Sequence, residues 1–174
     1  SKVFKKAVGL NGVGTKAVNA LSSSFSVQSV REGKAKNSLF ERGELIEDGK
    51  IIDSEEKDGT TIVFIPDTEL FGNYRFISDY IEKMLWNYAY LNNGLVLHFN
   101  GEKIVAKNGL FDLLENQIDG NICYPIIHLK QDEFEFAFTH TKQYGEEYYS
   151  FVNGQHTTQG GTHQSAFRES LVRT

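Results

Sequence analysis

Apolar and polar positions along the chain change period repeatedly, and each change marks an element. Ala17, Val18 and Leu21 share one face of a short helix, which the Ser22-Ser23-Ser24 cluster ends ahead of a strand-like stretch from Phe25 to Val30. Arg31-Glu32-Gly33-Lys34 reads as a hairpin turn. The stretch from Glu44 to Lys57 is acidic and aperiodic, which predicts an exposed excursion. Thr60 to Ile65 is a short, β-branched apolar run suited to a central strand, and Pro66 closes it.

Ile77, Ile81, Met84, Leu85 and Tyr88 recur at helical spacing, the strongest helix signal in the chain, with Asn92-Asn93-Gly94 as a left-handed C-cap. Leu95, Leu97 and Phe99 then alternate into Asn100-Gly101, a type I′ hairpin signal, and Lys103 to Ala106 forms the returning strand. Asn108-Gly109 reads as a junction, after which a short helix runs from Leu110 to Gln117. Phe134, Phe136 and Phe138 alternate with Glu135 and Ala137 as a half-buried antiparallel strand, with Tyr148 to Val152 as its expected partner. Gly160-Gly161 breaks the chain before Thr162, the expected N-cap of a helix with Ala166, Phe167 and Leu171 on one side.

Composition narrows the classes. With 174 residues and 40% hydrophobic content the chain can bury the core of one ordinary domain, or two pieces of larger ones. A formal net charge of -5 gives no electrostatic case for nucleic-acid binding by this segment, because a phosphate-tracking surface carries an excess of Lys and Arg. The single Cys123 has no partner for an internal disulfide and no companion zinc ligands, which fits a reducing cytoplasm and a buried strand position. No apolar run reaches the length of a membrane span, and the N-terminus carries no signal-peptide core. His98, His128 and His140 fall in strand patterns without metal-ligand spacing.

The chemistry-bearing candidate is the loop Gly9-Leu10-Asn11-Gly12-Val13-Gly14, which runs directly into the helix of Ala17, Val18 and Leu21. Glycines permit positive φ and close approach of bare backbone, and a helix N-terminus presents unpaired N–H groups, so the pattern suits an anion such as a phosphate. A Walker loop is excluded, because it places Lys-Ser/Thr directly after its last glycine and here the order is Gly14-Thr15-Lys16. A dinucleotide fold is excluded as well, since Lys2 to Val8 is too short and too basic for the buried strand that must precede the loop. On residue types alone, a packed turn is the better account of the three glycines.

The wider sequence changes that balance. Gly9 to Leu21 closely resembles the ATP-lid motif of the B subunits of type II DNA topoisomerases, members of the GHKL ATPase superfamily. Ser150-Phe151-Val152-Asn153-Gly154 through Gly160-Gly161-Thr162-His163 resembles their transducer signature. Between the two, Asp58-Gly59-Thr60-Thr61 to Asp67 is similar to the strand behind the adenine pocket, and Tyr90-Leu91-Asn92-Asn93-Gly94 to the helix end that follows. Asn11, where gyrases usually carry His, and the run Tyr144 to Ser150 tilt the resemblance toward the topoisomerase IV branch, in a Bacteroidetes-like form, with gyrase B as the alternative.

The resemblance implies an α+β fold. Residues 1–107 would be the C-terminal part of a GHKL (Bergerat) α/β sandwich from the ATP lid onward, and residues 108–174 the first part of a ribosomal-protein-like βαβ transducer domain. It implies ATP-phosphate contacts from Gly9, Leu10, Asn11, Gly12, Val13 and Gly14, with Lys5 as either a flexible positive charge at the phosphates or an ordinary solvated lysine. Thr60 would take part in a water-mediated contact to the adenine amino group and Ile62 would line the pocket floor, although strand propensity alone accounts for both.

The family's general base, Mg²⁺ ligand and Asp-x-Gly-x-Gly motif would all precede Gly9 in its order. The chain therefore reads as an internal fragment with no catalytic residue and no metal ligand of its own, and with neither ATP nor Mg²⁺ expected on it in isolation. For the longer protein the resemblance implies ATP and Mg²⁺, dimerisation of B subunits on ATP binding, an A2B2 heterotetramer with the A subunit, double-stranded DNA as substrate, and a cytoplasmic, nucleoid-associated location without membrane attachment. A non-enzymatic, transducer-side interaction module is the rival reading.

Overall fold

The computed structural model describes residues 12–173, which fall into two compact units, 12–76 and 77–173. The first unit opens with α1 (Gly14–Ala20), followed by β1 (Ser22–Arg31), β2 (Lys34–Glu41), β3 (Glu44–Asp48), β4 (Ile52–Asp53), β5 (Gly59–Pro66) and α2 (Thr68–Phe71). Its sheet is antiparallel, ordered β3-β2-β1-β5, with β4 also pairing with β2. Two turns of the same kind fold it. Glu32-Gly33 and Arg42-Gly43 both take positive φ at both positions, at 53° and 74° and at 49° and 87°, which matches the right-handed twist of the flanking strands.

The expected excursion over residues 44–57 is thus partly strand, although its residues are exposed in β3 and β4. Aperiodicity is a poor guide there, since a strand exposed on both faces has no core side to alternate toward. The run 60–65 is a strand, but a less central one than expected. Among the described residues β5 has β1 as its one partner strand, and Ile62, Val63, Phe64 and Ile65 are exposed. Phe64 packs edge-to-face on Phe76 at 6.0 Å, and Phe76 on Tyr74 at 5.1 Å.

The second unit contains α3 (Ser78–Leu91), the hairpin β6 (Leu97–Phe99) and β7 (Glu102–Ile104), α4 (Leu110–Gln117), the pair β8 (Ile127–Lys130) and β9 (Glu135–Phe138), the pair β10 (Phe151–Val152) and β11 (Gln155–His156), and α5 (Thr162–Arg173). Its core joins Ala89 and Tyr90 of α3, Ile104 of β7, Leu113 of α4, and Ala106 from the link between β7 and α4. The Asn116 amide donates to the Tyr90 hydroxyl at 2.9 Å across the same interface. The core therefore crosses the 107/108 position at which the sequence places a junction.

The buried stripe of α3 differs from the expected one. Leu85, Trp86, Ala89 and Tyr90 face the core, with Trp86 and Tyr90 stacked at 5.4 Å, while Ile77 and Met84 are exposed. Two apolar stripes of similar strength lie on this helix, and packing against β7 and α4 selects between them. The C-cap is also divided. Asn92 has negative φ and its amide donates to the Tyr88 carbonyl at 2.9 Å, whereas Gly94 takes the left-handed position at φ 82°. The Asn100-Gly101 turn is as expected, at φ 50° and 90°.

Two strand expectations are corrected. β9 pairs with β8, and residues 151–152 pair with 155–156 through an Asn153-Gly154 turn of φ 49° and 82°. The nearer partner wins in both cases because a short connection, four residues between β8 and β9 and two between the later pair, closes at small entropic cost. Cys123, expected as a buried strand residue, is exposed beside the isolated bridge between Ile122 and Thr141.

Candidate nucleotide-binding site

Gly9, Leu10, Asn11 and Lys5 lie outside the described residues, so the structure places only the last three positions of the loop. Gly12 has φ 62°, Val13 is the N-cap of α1, and Gly14 is its first helical residue. The helix is started by Ala17 N–H donating to the Val13 carbonyl at 2.9 Å, and no side chain caps its N-terminus. A Cβ added at Gly12 or Gly14 would meet no atom of the described residues within 4 Å. Among the described residues nothing covers the backbone here, which is what close approach of a phosphate needs. The two glycines differ, however, because positive φ requires glycine at Gly12 alone.

Thr60 and Ile62 sit on the same face of β5, opposite Ser29 and Val27 of β1, and both are exposed. The largely polar groove over the sheet lined by Ser26, Gln28, Asn37, Leu39, Thr61 and Val63 takes its β5 residues from the other face, so Thr60 and Ile62 do not contribute to it. α1 meets β5 at the strand's far end, where Asp67 N–H donates to the Leu21 carbonyl at 3.0 Å. The structure thus brings the end of α1 and the end of β5 together, and leaves Thr60 seven residues away along the strand, roughly 23 Å when extended.

Residues that sequence patterns do not single out surround that meeting point. Arg42 Nε pairs with Asp67 Oδ2 at 2.6 Å and its second guanidinium nitrogen with Glu69 at 2.8 Å. Asp67 caps α2 by accepting Glu69 N–H at 2.9 Å, a bond that, with the Arg42 guanidinium, holds its carboxyl below the usual range. Asp67 after Pro66 and before a helix start is a readable N-cap signal; its pairing with Arg42, 25 residues earlier, is not. Glu69 and Asn73 also have the Glu-x-x-x-Asn spacing of a base and a Mg²⁺ ligand, but α2 ends at Phe71, Gly72 intervenes, and Glu69 is engaged by Arg42. The pair shares no helical face.

Among the described residues no group of three His, Cys, Asp or Glu side chains is placed to hold a metal ion, and no helix is long and apolar enough to cross a membrane. In the second unit the Ser150 hydroxyl contacts His163 Nε2 at 2.5 Å and accepts from the Thr157 hydroxyl at 2.7 Å, so the Gly160–His163 segment is tied to the start of β10. Among the described residues no carboxylate orients the imidazole in that cluster, so it lacks the third member of a hydrolytic triad.

An antiparallel sheet with a short helix at one end, followed by a mixed helix-and-strand unit, makes this an α+β fold. Residues 77–174 match the DNA gyrase B family model, and the chain belongs to that family of type II topoisomerase B subunits. It is 49% identical over 172 residues to the B subunit of DNA topoisomerase 4 from Borreliella burgdorferi, covering 98% of this chain and 28% of that protein. It is 34% identical over 189 residues to the B subunit of DNA gyrase from Thermotoga maritima, covering 98% and 30%. The structure superimposes with a TM-score of 0.79 on a crystal structure of the 43K ATPase domain of Thermus thermophilus gyrase B in complex with an aminocoumarin, at 34% identity, covering 94% of this chain and 48% of that one. The chain spans under a third of the length of the two curated relatives.

Proposed function

We propose that this chain is the lid-to-transducer segment of a topoisomerase IV B subunit, which couples ATP binding and hydrolysis to the passage of one DNA duplex through another. The observation that carries the choice of branch is the 49% identity to a topoisomerase IV protein, against 34% to a gyrase protein over a similar share of the chain. In this reading the bare backbone of Gly12, Val13 and Gly14, continuing Gly9, Leu10 and Asn11 with Lys5 nearby, receives the ATP phosphates, and Thr60 and Ile62 border the adenine. ATP supplies the binding energy that closes the site. This segment's part is to bind and orient it, and the general base and the Mg²⁺ ligands lie outside this segment. The 174 residues alone therefore hydrolyse no ATP. The boundary between the ATPase and transducer portions is placed near 107/108 on the family resemblance, although the core of the second unit runs across that position; the partners are an A subunit in an A2B2 assembly and double-stranded DNA, and the protein acts in the cytoplasm at the nucleoid.

The test is topological. The full-length B subunit, combined with its A subunit and ATP, should decatenate linked circles and relax supercoils without introducing negative ones, and Gly12→Val should abolish both activities. Net negative supercoiling of relaxed plasmid would assign the protein to gyrase instead. Wild-type ATP affinity in Gly12→Val would remove the phosphate assignment.

A further inference from the structure

The C-terminal end of α1 is held from two sides. On one side the Arg42–Gly43 turn donates Arg42 N–H to the Ser22 carbonyl at 2.8 Å and lays Gly43 against Ala20, where an added Cβ would meet Ala20 Cα at 3.4 Å. On the other, Asp67 N–H donates to the Leu21 carbonyl at 3.0 Å, and within the helix end the Ser22 hydroxyl donates to the Val18 carbonyl at 2.6 Å. These bonds tie residues 21 and 22 to each neighbour separately. The Arg42–Asp67 ion pair joins the two neighbours to each other, linking the β2–β3 turn to the end of β5 around the base of the helix. Asp67 is 4% exposed and Ser22 1% exposed, so the clasp is shielded from competing water on its inner side, while Arg42 remains half in solvent.

We propose that Arg42 and Asp67 are positioning residues for nucleotide binding: their ion pair fixes α1 against β5, and so fixes the direction in which Gly12, Val13 and Gly14 present their backbone to the ligand. The proposal rests on reading that loop as the phosphate site. Neither residue needs to touch the nucleotide. Without the guanidinium, Asp67 is a buried carboxylate with its Glu69 amide bond alone, and the two backbone-held walls of the helix base lose the bond that joins them to each other. Binding must then order the loop, a cost that falls on affinity and leaves the chemical step in place.

The experiment uses the full-length B subunit with its A subunit and measures kcat and KM for ATP together with the melting temperature. Arg42→Met and Asp67→Asn should each raise KM about five-fold or more while kcat stays within about two-fold, because the ordering cost is met before turnover. Arg42→Lys should recover part of the loss, since it restores charge without the planar fork. Val30→Ala, a buried change in the same sheet, should lower the melting temperature without moving KM. If Arg42→Met fails to fold, Arg42→Gln is measured in its place with the same expectation. Unchanged KM in the Arg42 and Asp67 variants, with ATP affinity lowered in Gly12→Val, would overturn the positioning role and leave the phosphate loop standing. Wild-type ATP affinity in Gly12→Val would overturn both.

Discussion

The Glu135 carboxylate, on β9, accepts the backbone N–H of Leu110, the first residue of α4, at 2.9 Å. A strand side chain thereby caps a helix that begins 25 residues earlier, and the chain enters that helix through Gly109 at φ 62°, where an added Cβ would also lie 2.8 Å from Asn93 Oδ1. Lys130 Nζ and His128 Nε2 each approach the same carboxylate at 2.9 Å. On the helix side, Asp112 accepts the Lys107 and Asn108 N–H groups at 2.8 and 3.0 Å.

This cap should make the stability of the second unit acid-sensitive. Burial pushes the Glu135 carboxyl up, but Lys130, the Leu110 amide and His128 together hold it below its ordinary value of 4.5. A carboxyl lowered on folding contributes stability that is fully present above its unfolded pKa and is lost as pH falls through the folded one. Glu135→Gln should therefore cost roughly 1.5–3 kcal/mol at neutral pH, and the difference from wild type should shrink below pH 4.5. Urea midpoints at pH 7 and in that acid range check this; a gap of constant size would mean that the charge is not what Glu135 contributes.

Local rules account for much of this architecture, and their failures share a cause. Asn100-Gly101 announces its hairpin because few residue types tolerate two successive positive φ values and Asn and Gly are among them. Glu32-Gly33 and Arg42-Gly43 take the same conformation with a charged residue in the first place; Gly33 after the strand-like run 25–30 marks the first, whereas the exposed residues after Gly43 show no alternation that would mark the second. The stripe of α3 that packs is chosen by Leu113 and Ile104, which helical periodicity does not know about. The same holds for the site. Gly12 and Gly14 are legible as glycines before a helix, whereas the Arg42–Asp67 pair and the Glu135 cap are contacts between residues 25 apart in sequence, set by the sheet register.

Phe167 anchors α5 on β9. Its ring lies 4.9 Å from Phe136 and 5.8 Å from Phe138, two phenylalanines of the strand that carries Glu135. Phe167→Ala should cost about 1–3 kcal/mol through lost apolar burial and ring contacts, whereas Phe167→Leu, which keeps most of the apolar volume, should cost less than about 1.5 kcal/mol. Denaturant unfolding followed by aromatic fluorescence checks the order. Equal losses in both variants would place the contribution of Phe167 outside the aromatic cluster.

Gly12 and Gly14 should respond to the same substitution with opposite signs. At Gly14, which is helical and where a Cβ would meet no atom of the described residues within 4 Å, alanine should raise stability by about 0.4–1 kcal/mol by restricting the unfolded chain. At Gly12, at φ 62°, alanine must adopt a left-handed conformation and should lower stability by about 1–2 kcal/mol. Nucleotide affinity of the full-length protein should fall in both, since each methyl adds bulk beside backbone that a phosphate must approach. Stability and affinity then move together at Gly12 and apart at Gly14. Melting curves paired with titration calorimetry on the two variants measure this, and a Gly14→Ala protein both more stable and undiminished in ATP affinity would show that ligand binding does not require glycine there.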